Sequence, residues 1–186
     1  NLAVGLVFSN LGSKISYTNS ARKDFIPMNM GLGLAYTIDI DKHNSFTLAT
    51  DINKLLVPTP PIYSDSLSNG EQQILYGNSP DVSVAQGIFQ SFGDAPNGTK
   101  EELQEINIAG GLEYWYDRQF AFRAGYFFEH ENKGNRKYFT LGAGLKYNVF
   151  GLDFAYLIPT DQRNPLENTL RFSITFDFNR SDNDEE

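Results

Sequence analysis

An all-β, transmembrane antiparallel β-barrel is the architecture this sequence predicts, and three observations point to it. Apolar residues recur at every second position through about eight segments. One side of that alternation is rich in Phe, Tyr and Leu, while the other holds Gly, Ser, Thr, Asn, Arg and Asp. The connections between segments alternate between tight and long, as short periplasmic turns and longer outer loops do in outer-membrane barrels.

The segments follow in chain order. Residues 2–8 open the pattern. Over 28–40, Met28, Met30, Leu32, Leu34, Tyr36, Ile38 and Ile40 share one face, against Asn29, Gly31, Gly33, Ala35, Thr37 and Asp39. A less regular strand covers 46–56. Segments 106–116 and 120–128 repeat the alternation through Ile106, Ile108, Leu112, Tyr114 and Tyr116, then Phe120, Phe122, Ala124, Tyr126 and Phe128. From 139, Phe139, Leu141, Ala143, Leu145, Tyr147 and Val149 oppose Thr140, Gly142, Gly144, Lys146 and Asn148. Residues 152–158 precede the clearest segment, where Leu170, Phe172, Ile174, Phe176 and Phe178 alternate with Arg171, Ser173, Thr175 and Asp177.

A soluble sandwich or lipocalin-like barrel also alternates, but it would carry Lys and Glu on its outer face and an apolar interior. Here the cations Arg123, Lys146 and Arg171 all fall on the small, polar parity. An Arg or Lys on the lipid side at mid-bilayer would cost about 2–4 kcal/mol. Tyr114, Tyr116, Tyr138 and Tyr147 lie near strand ends, where rings can sit at the headgroup level. Gly31, Gly33, Gly111, Gly142 and Gly144 leave the polar face thin, which suits a barrel wider than eight strands or one bent at those glycines. The mean hydropathy of -0.38 does not oppose a membrane location, because a barrel strand is apolar on one face only.

The tight links are 41–44, 117–119 and 148–151, and the long ones are 10–27, 58–103, 130–136 and 160–166. Putting the last strand's end in the periplasm places every long link outside the cell. The chain therefore divides into a barrel over 1–179, including a long extracellular loop at 58–103, and an acidic periplasmic tail at 180–186. The sequence starts on a strand pattern without an initiator Met, so the preceding part of the barrel is expected to lie outside it.

Within 58–103, Pro58, Pro60 and Pro61 stop the third strand, and Ser64 to Asn78 reads as polar and irregular. Asp81 is a candidate N-cap for a short helix from Val82 to about Phe92. Val84, Ile88 and Phe92 then recur at four-residue spacing; with Phe89 they are the candidate partner-binding residues. The plainer alternative is a loop folded over the mouth to stabilise the barrel.

Little catalytic chemistry is legible. There is no Cys, and His43 and His130 have no second His at ligand spacing. No Gly-x-Ser-x-Gly elbow appears, and Gly31-Leu-Gly33 and Gly142-Ala-Gly144 lie inside strands instead of opening helices. Asp39 and Asp41 lack the glycine and terminal Glu of an EF-hand. Sequons at Asn97 and Asn179 carry little weight in a bacterial envelope. The net charge of -8 argues against nucleic acid. A non-enzyme without cofactor or metal is expected, with outer-membrane lipid as its surroundings.

Two stretches and a tetrapeptide carry a resemblance. Asp51-Ile-Asn-Lys-Leu-Leu-Val-Pro-Thr-Pro-Pro61 closes the third strand, Ala155 to Phe178 forms the final hairpin, and Ser9-Asn-Leu-Gly12 follows the first strand. Together they resemble the PorV (LptO) family of outer-membrane proteins of the Bacteroidetes type IX secretion system, related to PorQ. The resemblance implies a FadL-like barrel of about fourteen strands, of which this chain supplies roughly the last eight. It further implies that the protein collects secreted cargo at the SprA-type translocon barrel by the cargo's C-terminal signal domain. Delivery to the PorU-containing attachment complex would follow, with no catalytic residues involved. A FadL-like transporter of hydrophobic small molecules is the competing expectation, and a soluble β-sandwich binding module is a third.

Overall fold

The computed structural model describes residues 1–16, 23–68, 71–160 and 169–178. Strands β1 (Leu2–Ser9), β2 (Asn29–Asp39) and β3 (Asn44–Leu55) come first. The long insertion follows and carries β4 (Ile62–Ser68), β5 (Glu71–Tyr76), α1 (Val84–Gln90) and α2 (Thr99–Gln104). Then come β6 (Ile106–Tyr116), β7 (Phe120–Phe128), β8 (Lys137–Tyr147), β9 (Phe150–Pro159) and β10 (Leu170–Phe176).

Eight of these strands form one antiparallel meander in the order β1-β2-β3-β6-β7-β8-β9-β10, open between β1 and β10. Every neighbouring pair is antiparallel, so the long links gather at one end of the sheet and the tight turns at the other. No described helix is long and apolar enough to cross a membrane, which says nothing of strands.

The register carries the expected parity through the whole sheet. Direct cross-strand partners share a face, and the row Leu34, Thr50, Gly110, Tyr126, Phe139, Ile158 lies on one face, as do its neighbouring rows. That face is open: Phe172, Ile174 and Phe176 are 65, 61 and 60% exposed. The greasy row therefore lies outside any core. From Met30 to Ile38 the band spans about 26 Å at roughly 3.3 Å per residue, the height expected of a lipid-facing belt.

On the opposite face the space beside Gly31 and Gly33 is filled by a polar partner, as it is at Gly125, whereas Gly111 borders open space. A Cβ on Gly31 would stand 2.7 Å from Asn53 Oδ1, and one on Gly33 would stand 2.6 Å from Asp51 Oδ1. One on Gly125 would stand 2.8 Å from Thr140 Oγ1. Each glycine is the direct partner of the polar residue that fills its space. The tyrosine expectation needs one correction. Tyr138 is on the polar parity, stacked on Phe127 at 5.0 Å between centroids, whereas Tyr114, Tyr116 and Tyr147 do face outward near the tight turns.

Those turns are built from polar residues that tolerate left-handed backbone. Asp117 (φ 54°) and Arg118 (φ 50°) are consecutive positive-φ residues, which matches the right-handed twist of the strands they join. Asp41 closes the β2–β3 turn by accepting the backbone N–H groups of His43 and Asn44, both at 2.8 Å. Adjacent turns are tied by His43 Nδ1 and Asp117 Oδ1 at 3.0 Å.

The region 64–78 holds strands that the sequence reading left out. β4 and β5 pair as a separate two-stranded sheet with register shifts on both sides of Tyr63. The shifts break the alternation that would have revealed them. The expected tail at 180–186, most of the 160–166 link and the sequon at Asn179 lie outside the described residues.

Candidate functional site

Two sites emerge, one on the polar wall and one at the end where the long links meet. On the wall, Arg123 reaches sideways across the sheet. Its Nε donates to Glu113 Oε2 at 2.5 Å on the neighbouring β6, and its Nη1 donates to Asp153 Oδ1 at 2.6 Å on β9, one strand beyond β8. The crossing depends on Gly144, the direct partner of Asp153, where a Cβ would stand 2.9 Å from Nη1 and 2.7 Å from Asp153 Oδ1. The Trp115 ring lies 5.4 Å from the guanidinium carbon. A cavity of about 430 Å³ opens beside this bridge, lined by Ala49, Gly111 and Gly125 with Asp51, Glu113 and Thr140. Charged side chains therefore cross this wall beside a cavity that also holds Ala49, Phe127 and Tyr138.

At the other site the insertion forms a cap on the sheet end. It starts from the proline run. Leu56 is fully buried and its N–H donates to Met28 O at 2.8 Å, which seats the run against the β1–β2 link. Thr59 then donates its N–H to Asp94 Oδ2 at 3.0 Å and its hydroxyl to Glu105 Oε1 at 2.7 Å. Glu102 accepts the Ala95 N–H at 2.8 Å. The cap is fastened by two lysines. Lys54 Nζ lies 3.2 Å from Glu102 and 2.8 Å from Glu105, while Lys133 Nζ lies 2.6 Å from Glu101 and 2.9 Å from Glu105.

Lys54 shares the outward parity of Met30 and Ile106, so it would face lipid were it lower in the strand. At the strand end, the α2 carboxylates cover and neutralise it, as a buried cation requires. Lys133 is presented by the β7–β8 link. There Glu129 holds Arg136 through two hydrogen bonds of 2.8 and 2.7 Å, and Gly134 (φ 135°) leaves room for the Glu129 carboxylate. The His130 ring accepts the Asn132 N–H at 3.2 Å and starts a 3-10 turn, Glu131–Lys133.

The electrostatics follow from these partners. The Lys133 hydrogen bond holds the Glu101 carboxyl below its usual range. Burial pushes Glu105 up, but hydrogen bonds from Lys54, Thr59 and Lys133 override it and the net shift is downward. Asp94 moves the other way: burial raises its pKa, and its Oδ1 has no hydrogen-bond partner. Among the described residues no group of His, Cys, Asp or Glu is placed to hold a metal.

The four candidate partner-binding residues all lie in this cap, though not as one face. Helix α1 is capped by Ser83, whose hydroxyl accepts the Gln86 N–H at 3.2 Å, and not by Asp81 as expected. Its inward stripe is Gly87 and Ser91: a Cβ on Gly87 would stand 2.6 Å from the Phe25 ring and 3.2 Å from Pro58. Val84 and Ile88 are half-buried beside that stripe. Phe89 is 80% exposed, and Phe92, beyond the helix, is 49% exposed. Leu67, Leu75 and Tyr76 of the hairpin add further exposed apolar surface. Sequence reasoning missed Lys54, Lys133 and the three glutamates. Glu101 and Glu105 at four-residue spacing hinted at a shared helix side, but nothing in the sequence points to their partners.

The sheet, with its outward apolar belt, has the character of a transmembrane β-barrel wall, and the end where its long links meet carries a folded cap. Residues 2–62 match the family model described as type IX secretion system protein PorV. The matched third of the chain contains both Ser9-Asn-Leu-Gly12 and the Asn53–Pro61 run, while the final hairpin lies outside it. Over those residues the chain is similar to that family. No curated protein matches it.

Proposed function

We propose that this protein is a non-enzymatic, multi-pass outer-membrane component of type IX secretion that engages its partners through the cap. In this reading it receives the C-terminal signal domains of cargo at the SprA-type translocon and passes them to the PorU-containing attachment complex. One observation carries the reading: the family-matched proline run leads from β3 directly into the ion-paired cap that holds Phe89 and Phe92 open to solvent. A buried polar framework under an exposed apolar surface suits recognition, since the contact residues are held in place before a partner arrives. The competing transport of hydrophobic small molecules finds little support in a wall of Asp51, Glu113, Arg123 and Asp153.

The test exploits the geometry of the hairpin. Pro61 Cα lies 3.2 Å from where a Cβ on Gly77 would stand, so removal of residues 62–76 joins two adjacent points of the chain. The full-length protein lacking 62–76 and carrying Phe89→Ser should still insert as a barrel. Its co-purification with other type IX components in mild detergent should be lost. Undiminished co-purification by a properly inserted variant would refute the role of the cap.

A further inference from the structure

We infer that Lys133 is a latch closing the cap over a cavity at the outer mouth of the sheet, and that releasing it opens that cavity. The cavity measures about 480 Å³ and has two facing walls. One is the proline run, Val57, Pro58 and Pro60; the other is the β7–β8 link, with Glu129, Lys133 and Arg136; Asn107 of β6 lies between them. A chain of polar contacts crosses it, from Thr59 to Glu105 Oε1 and from there to Lys133 Nζ, which also grips Glu101.

Three features make this a latch instead of ordinary packing. The two walls belong to different links of the sheet, β3–β6 and β7–β8, so they can part without breaking any strand pairing. The β7–β8 link is braced internally by its own Glu129–Arg136 pair. The side-chain hydrogen bonds between the cap and the β7–β8 link are those of Lys133 with Glu101 and Glu105 and a longer one, 3.4 Å, from Asn132 to Gln104, so charge carries the shorter ties. Contacts of that kind depend on a few well-placed atoms, and local opening draws on such weakly apolar regions. The inference stands whether or not the partner reading does.

The chain has no cysteine, so Asn107→Cys in the full-length protein places one thiol in the cavity. Labelling by a bulky polyethylene-glycol maleimide in detergent then reports opening. Lys133→Met should raise the labelling rate about tenfold or more, the change produced when opening becomes roughly 1.4 kcal/mol easier. Lys133→Arg should stay near the parent rate, and Glu101→Gln should fall between. A control thiol at Thr175, on the polar face of β10, should label equally in all four backgrounds. A rate at position 107 that Lys133→Met leaves unchanged overturns the latch. An equal rise at position 175 does so too, because it shows general loosening.

Discussion

Exchanging one residue for arginine on either side of β8 tests the parity of the whole sheet. Leu141 and Thr140 are neighbours near the middle of the strand, and Leu141 is 53% exposed between its partners Ala124 and Tyr156. At about 3.3 Å per residue, Leu141 lies roughly 13 Å from Lys137 at one end of the strand and 20 Å from Tyr147 at the other. That depth is close to the centre of a belt about 25 Å tall, where an outward Arg costs about 2–4 kcal/mol. Thr140→Arg instead projects into the cavity of about 430 Å³ on the polar face, beside Glu113 and Asp51. Its expected cost is about 0–1 kcal/mol, the range for a surface change with room to adapt. The two variants should therefore differ by about 1 kcal/mol at the least, roughly fivefold or more in folding equilibrium. Urea titration of the full-length protein folded into lipid vesicles measures both. Equal costs, or a larger cost for Thr140→Arg, would mean that the apolar rows do not face lipid.

Gly144→Ala should cost about 1–3 kcal/mol, the range for disturbing charged hydrogen bonds, because its Cβ would stand 2.7 Å from Asp153 Oδ1 in the Arg123 crossing. Gly110→Ala on the outer face meets nothing within 4 Å and should be close to neutral in the same urea titration. At the opposite end, Asp117 holds His43 above the usual histidine range through its hydrogen bond. This tie is fully present below the unfolded histidine pKa and is lost as pH rises through the folded one; Asp117→Asn should lower the His43 titration midpoint seen by NMR. In the cap, Glu101 is lowered by the Lys133 hydrogen bond, so its contribution is present above the unfolded carboxylate pKa and lost as pH falls through the folded one. Labelling of the thiol at position 107, taken as a ratio to the control thiol at position 175 at the same pH, should accordingly stay constant near neutrality and rise only once pH falls below the ordinary carboxylate range.

Much of this protein was determined by its sequence, because the signals concerned are local. Period-two direction put Phe172, Ile174 and Phe176 on one face whatever their neighbours, and polar turn residues such as Asp117 and Asn148 marked where strands reverse. The three prolines ending β3 located the insertion, and an exposed Phe89 followed from its helix. Only the tertiary structure decided the rest. Whether Gly144 is empty or crossed depends on the register that brings Arg123 of β7 diagonal to Asp153 of β9. Lys54 shows no lipid-side penalty because α2, 45 residues or more further along the chain, supplies Glu102 and Glu105. The hairpin β4–β5 stayed hidden since its register shifts erase the alternation by which strands are read. Backbone geometry is written in neighbouring residues, whereas a charge pair is a meeting of distant ones, fixed only once the strands between them have chosen their partners.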